Sequence, residues 1–300
     1  MTSSNAQKVV RTRVPAACIE LAGRTDIGQR RKRNEDSWAC VGDRGLAVVA
    51  DGMGGRPLGQ VASERCTSTI VEHIRGTAAV VPDPRVDADA RLSDDERALL
   101  KAIRASNHAV CSVAADLVGR EDGMGTTVVA ALFAADGQTV SIAHVGDSRC
   151  YRVRAGSAEL LTRDHTMANE LADRAAWLPP EAIANVPRHV LARAIGLRRE
   201  VPIDLLTEEV RPGDVYMLCS DGMWGRVEDD EIALVVSEAP DLDAACERLV
   251  ALANGRGGPD NITVVLARVP TGPTPRRSGL ALRAVRADEG SDDGGAALDW

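Results

Sequence analysis

Aromatic side chains are scarce in this chain, which has one phenylalanine, two tyrosines and four tryptophans among 300 residues. Substrate recognition by stacked rings therefore has little to draw on. The seven cysteines stand singly, with no C-x-x-C pair and an odd total, which argues against a disulfide framework or a thiolate zinc site. Several, such as Cys219 in VYMLCSDG, sit inside apolar runs and read as small buried hydrophobes. No uninterrupted apolar stretch reaches membrane-spanning length, and the opening segment MTSSNAQKVVRTRVPAA lacks the apolar core of a signal peptide. A soluble, cytoplasmic protein is expected, without a membrane partner. There is no basic excess either: 36 Lys and Arg against 44 Asp and Glu give a formal charge of −8, the wrong sign for a phosphate-backbone surface. The one basic cluster, Arg30 to Arg33, is short.

What the chain does have is 44% hydrophobic residues and no compositional break through its middle, enough for one large domain. We expect a domain over 18–269, a flexible segment at 1–17 and a Gly-, Pro- and Asp-rich disordered tail at 270–300. Short apolar runs predict strands at 18–23, 37–41, 45–50, 125–135, 138–145, 149–154, 158–162, 203–210, 214–220 and 261–268. Helical patterns fall at 58–75, 94–118, 229–237 and 241–254, with broken helices over 166–195 around Pro179 and Pro180. Ser93 and Glu96 have capping-box spacing. Tight links such as ADGQ and GDS allow antiparallel neighbours and forbid crossover helices, so antiparallel sheets covered by helices are predicted.

The stretch LAVVADGMGG, Leu46 to Gly55, sends a buried run straight into Asp51. Two other apolar strands are bordered the same way, one by Asp221 in SDG and one by Asp260 in PDN, and NED at Asn34 to Asp36 precedes a fourth. Each acid alone reads as a turn residue. Gathered at one rim they would repel one another and resist ionisation unless a cation sat among them. Oxygen ligands without a His or Cys cluster select Mg2+ or Mn2+. Gly52 either leaves its carbonyl accessible as a further oxygen or, like its neighbours, serves a tight turn.

At these residues the chain resembles the metal-dependent protein phosphatase family, the type 2C serine/threonine phosphatases, in its bacterial form. The segments that carry the likeness run in order from TDIGQRRKRNEDS (25–37) through VVADGMGG (48–55), GMGTTVVAALF (123–133), AHVGDSRCY (143–151), LTRDHT (161–166) and LARAIG (191–196) to LCSDGMW (218–224) and GGPDNITVV (257–265). The resemblance implies an α+β fold, a β-sandwich of two antiparallel sheets flanked by helices in four αββα layers. It implies two Mn2+ or Mg2+ ions: Asp51 bridges both, Asp221 and Asp260 complete one site, and Glu35 and the Gly52 carbonyl serve the other. Asp36 holds water from behind, and Arg31 clamps the phosphate. Water activated between the ions would attack phosphoserine or phosphothreonine, the proteins so modified being partners together with an opposing bacterial Ser/Thr kinase; a monomer is expected. A catalytically silent binding module is the alternative, although none of Asp51, Asp221 and Asp260 is lost.

The chain departs from the family pattern twice. Met53 stands where some members carry a His proposed as general acid. A third metal would use Asp122, but the second position such a site needs, four places after Asp221, is Gly225. His165, Asp147 and Arg149 read as structural, the last two as a buried turn and ion pair, and the segment 166–190 corresponds to a variable flap beside the cleft.

Overall fold

Leu46, Ala47, Val48, Val49 and Ala50 are all completely buried, so the strand they form has no solvent face. The reason is layering. In the computed structural model, which describes residues 19–271 except 54–57, 79–81, 120–122, 176, 178–185 and 188–189, two sheets stack face to face and helices cover both outer faces. The expected flexible start and nearly all of the expected tail lie outside the described residues.

One sheet runs β1 (Glu20–Asp26), β11 (Ile262–Arg268), β10 (Val215–Cys219), β7 (Arg149–Arg154), β8 (Ser157–Leu160). The other runs β2 (Asp36–Val41), β3 (Leu46–Met53), β5 (Val128–Phe133), β6 (Thr139–Val145), β9 (Asp204–Glu209), with β4 (Gly125–Thr126) added to β3. Every pairing is antiparallel. Alternate residues of one strand enter different cores. Leu46 and Val48 pack under α1 (Leu58–Arg75) and α3 (Asp94–Val118), while Ala47 and Val49 meet Leu218 and Val265 between the sheets. Beyond the other sheet, Met217, Val264 and Leu266 pack with Ile232 of α6 (Asp229–Glu238) and Leu249 of α7 (Leu242–Gly255). Each fully buried Leu or Val contributes about 1.5–3 kcal/mol, so strands buried on both faces read as unbroken apolar runs.

Helix α3 starts where its sequence says. Ser93 accepts the Glu96 amide hydrogen and Glu96 returns the bond to the Ser93 amide, with Asp94, Asp95 and Glu96 in the first turn. The single-turn α2 (Pro84–Asp87) is capped by Asp83, α4 (Met167–Arg174) by Thr166, and α5 is the one-turn helix Asp221–Trp224.

Three strand expectations shift, each for a tertiary reason. β1 continues through Arg24, Thr25 and Asp26 because β11 pairs with it as far as Ile262. The run 125–135 is two strands, broken at Thr127, whose amide hydrogen bonds the Asp51 carbonyl while Thr126 pairs with Ile195. β3 does not stop at Asp51 but continues to Met53, held by Gly52 and Met53 pairing with β4.

Candidate metal centre

At one rim of the sandwich the two sheets bring their acids together. Asp36 and Asp51 face each other across the β2–β3 register. From the other sheet, Asp221 opens α5 just after β10, and Asp260 lies just before β11. Asp36 is buried, and one of its oxygens accepts hydrogen bonds from Ser220 Oγ (2.8 Å) and Thr263 Oγ1 (2.6 Å), both of the opposite sheet. The backbone of Asp51 is fixed by Thr127 Oγ1, which accepts its amide hydrogen at 3.0 Å, and by Thr126 Oγ1, which donates to its carbonyl at 2.8 Å. The Asp51 and Asp221 carboxyls lie within hydrogen-bonding reach of each other.

Glycine is required beside this pair. A Cβ on Gly52 would stand 2.2 Å from the Gly59 carbonyl oxygen and 2.5 Å from that of Glu35, whose carbonyl already accepts the Gly52 amide hydrogen at 3.1 Å. Glu35 is half-buried, its carboxylate against Gly59 and its amide bonded to Asn261 Oδ1 at 2.8 Å. Arg31, on the exposed loop between β1 and β2, reaches back to Asp260 with Nη2 2.5 Å from Oδ2.

Too many like charges share this space for all to be ionised easily. Burial, with Asp221 and Asp260 adding repulsion, pushes Asp36 up to about 7 even though two hydroxyls favour its charged form. Burial and then Asp36 and Asp221 drive Asp51 well above the usual carboxylate range, and burial with Asp260 raises Asp221. Glu35 is raised chiefly by burial. Two buried oxygens, Asp36 Oδ1 and Asp221 Oδ1, have no hydrogen-bond partner. Carboxylates and unpartnered oxygens, with no imidazole or thiol among them, are the donor type of a hard divalent cation.

All the expected ligands except Asp122, which is outside the described residues, thus converge on one rim. Met53 is half-buried and pairs with Gly125. Gly225 is exposed and gives its amide hydrogen to the Asp221 carbonyl as the C-cap of α5.

The paired reading of Asp147 and Arg149 needs correction. Arg149 makes a two-pronged bond to Asp164 (2.9 and 2.8 Å), donates to Tyr151 Oη and lies 3.5 Å over the Trp224 ring. Asp147 is buried, pushed up to about 7 by burial and by Asp221, and so belongs to the acidic rim. A GDSR turn gives no sign of this in the sequence, because its neighbour Asp221 is 74 positions away.

His165 does take a structural role. It stacks on His144 at 4.5 Å with 21° between the rings. Its Nδ1 accepts the Gly146 amide hydrogen (3.2 Å), so its proton is on Nε2, which faces Asp204 Oδ2 at 3.2 Å. Nearly parallel rings cannot aim their in-plane lone pairs at one ion, and Arg193 already holds Asp204 at 2.7 Å. These three residues are a packed polar cluster and not a second metal site.

The Protein phosphatase 2C family matches residues 27–253, and the chain belongs to it. It is 37% identical over 251 residues to the serine/threonine protein phosphatase PstP of Mycobacterium tuberculosis, a match covering 84% of this chain and 45% of that protein. The chain therefore spans less than half the length of that relative. The serine/threonine phosphatase stp of Listeria welshimeri is 33% identical over 247 residues, covering 81% of this chain and 93% of that one. Among solved structures, the PstP catalytic domain in complex with two manganese ions superposes with a TM-score of 0.67 at 36% identity, covering 84% of this chain and 98% of that one.

Proposed function

We propose that this protein is a protein serine/threonine phosphatase that uses two Mn2+ or Mg2+ ions to hydrolyse phosphoserine and phosphothreonine, and that it opposes a bacterial-type Ser/Thr kinase. The observation that carries the reading is the convergence of Asp51, Asp221, Asp260, Asp36 and Glu35 on one rim with two unpartnered oxygens. In this reading Asp51 serves both ions, Asp221 and Asp260 complete one site, and Glu35 and the Gly52 carbonyl complete the other. Bound there, the ions supply an activated water and charge neutralisation for the phosphoryl group.

The chain's own groups do the rest. Asp36, held by Ser220 and Thr263, turns its free oxygen toward the rim as an acceptor for ordered water. Arg31 stands on the solvent side, where its planar fork suits phosphoryl oxygens. Met53 carries no proton, so protonation of the leaving oxygen is left to water. The sparse aromatic content and the net charge of −8 favour a protein substrate engaged through its phosphate over a nucleic acid. No helix among the described residues is long and apolar enough to cross a membrane.

The test is hydrolysis of a phosphothreonine peptide by metal-stripped protein before and after adding Mn2+ or Mg2+, with Asp221→Asn as control. Activity that requires the ion and disappears in the variant supports the proposal. A folded protein that is inactive with every ion tried would instead be a silent phosphoprotein-binding module.

A further inference from the structure

The loop that carries Arg31 has little structure of its own. Residues 27–35 form neither strand nor helix, and Arg31, Lys32 and Arg33 are exposed. A long, charged side chain on such a loop would sample many positions. Yet both ends of the loop are held by one side chain from the neighbouring strand entry. Asn261 is 5% exposed, and its Nδ2 donates to the carbonyls of Ile27 (3.0 Å) and Arg33 (2.8 Å). Its Oδ1 accepts the Glu35 amide hydrogen at 2.8 Å. Both amide hydrogens and the oxygen are therefore used. The orientation is unambiguous, since a flipped amide would set Oδ1 against two carbonyl oxygens.

A second, weaker anchor grips the loop near its start. Asn254 donates to Asp26 Oδ1 (3.0 Å) and accepts from Gln29 Nε2 (3.2 Å), while the Gln29 amide bonds the Gly258 carbonyl at 2.7 Å. Between the anchors Gly28 sits at φ +78° with its Cα so close to β11's approach that a Cβ would lie 2.0 Å from the Asp260 carbonyl oxygen.

We propose that Asn261 is the positioning residue for Arg31: its side-chain amide fixes both ends of the 27–33 loop and thereby holds the guanidinium over the acidic rim. The inference rests on the reading of Arg31 as the phosphate-binding group. Asn261 also holds the Glu35 amide, and its own backbone amide hydrogen goes to Asp260 Oδ1 at 2.8 Å, so Mn2+ affinity is the readout that separates an effect on the loop from one on the acids.

The experiment uses the full chain loaded with Mn2+ and compares Arg31→Ala, Asn261→Asp and the double variant. Asp at 261 keeps the oxygen that Glu35 uses and replaces the two-carbonyl donor with an acceptor. The readouts are KM and kcat for a phosphothreonine peptide, inhibition by inorganic phosphate, and Mn2+ affinity by calorimetry. Asn261→Asp is expected to raise KM and the phosphate inhibition constant by roughly 10-fold, within the range that ångström-scale misplacement costs, with a smaller change in kcat and retained Mn2+ binding. In the double variant the two losses must fail to add, because both remove the same interaction. An unchanged phosphate inhibition constant in Asn261→Asp beside an altered one in Arg31→Ala overturns the inference, as do fully additive losses. An Arg31→Ala enzyme with parental kinetics overturns both the inference and the reading beneath it. If Asn261→Asp does not fold, Asn254→Ala loosens the same loop: a raised inhibition constant that vanishes in the Arg31→Ala background supports the inference, and an unchanged one overturns it.

Discussion

On the rim Arg31 pairs with Asp260, and side-chain accessibilities of 52% and 28% leave the pair open to water. Its contribution to stability is therefore small, and its value lies in what the guanidinium can reach. Arg31→Ala should leave the melting temperature near that of the parent and raise KM for a phosphothreonine peptide; Arg31→Lys should recover only part of the loss, because a point charge lacks the fork. The buried acids behave in the opposite sense. Removing a charge from a crowded set relieves repulsion, so Asp51→Asn and Asp221→Asn should abolish turnover while melting no lower than the parent in chelator. Asp36 adds a pH dependence whose sign follows from its direction. Its carboxyl titrates near 7 in the folded chain against about 3.9 unfolded. Between those values the folded state holds a proton that the unfolded state has released. The contribution is complete below the unfolded value and is lost as pH rises through the folded one. Metal-free parent protein should therefore gain melting temperature relative to Asp36→Asn as pH falls from about 8 to about 5, and a constant difference would contradict the assignment.

Among the elements, the segment from Thr162 to α4 is fastened by the stacked imidazoles. His165 and His144 are both lowered by burial, with His144 adding to the shift of His165 and Arg193 to both; Asp204 pulls both the other way, as does the Arg163 carbonyl that accepts from His144 Nε2. Here the folded chain binds fewer protons than the unfolded one. The stabilisation is present above the ordinary histidine value of about 6.5 and fades as pH falls through the window below it. Amide protection factors in Thr166 to Arg174, taken relative to intrinsic exchange at each pH, should fall on acidification through that window, and His165→Gln should flatten the response. The helices were the most legible elements. α3 carries its bounds in local signals, the Ser93–Glu96 box at its start and Gly119 in the left-handed conformation at its end, that depend on nothing distant. Apolar runs were less so. GTTVVAALF gives no hint of a break, because Thr126 and Thr127 are diverted by Asp51 and Ile195, partners far along the chain. The candidate ligands were legible in SDG, PDN and ADG, whereas a link between Asp147 and the rim was not, since only the closed fold brings its carboxyl under the influence of Asp221.

Among the described residues most of the scarce rings are spent on packing, with Trp177 the exposed exception. Phe133 and Tyr216 meet edge to face at 5.4 Å between the sheets, and the Tyr216 hydroxyl donates to Glu208 at 2.6 Å. Leu218, fully buried in the same layer, should cost about 2–5 kcal/mol as Leu218→Ala, read from chemical denaturation, with kcat of the remaining folded enzyme little changed. Around these residues the layer mixes small side chains, Ala47, Ala131 and Ala267, with larger ones, Leu21, Ile142 and Val265. Burial of apolar surface is non-directional, whereas a hydrogen bond is directional. Asp36 supplies such a directional link between the sheets, because its carboxyl stands at the start of β2 while Thr263 lies in β11 and Ser220 directly follows β10. The acid thus acts as an index pin for the stack, and a slip of one sheet over the other would part a buried carboxyl from both its donors.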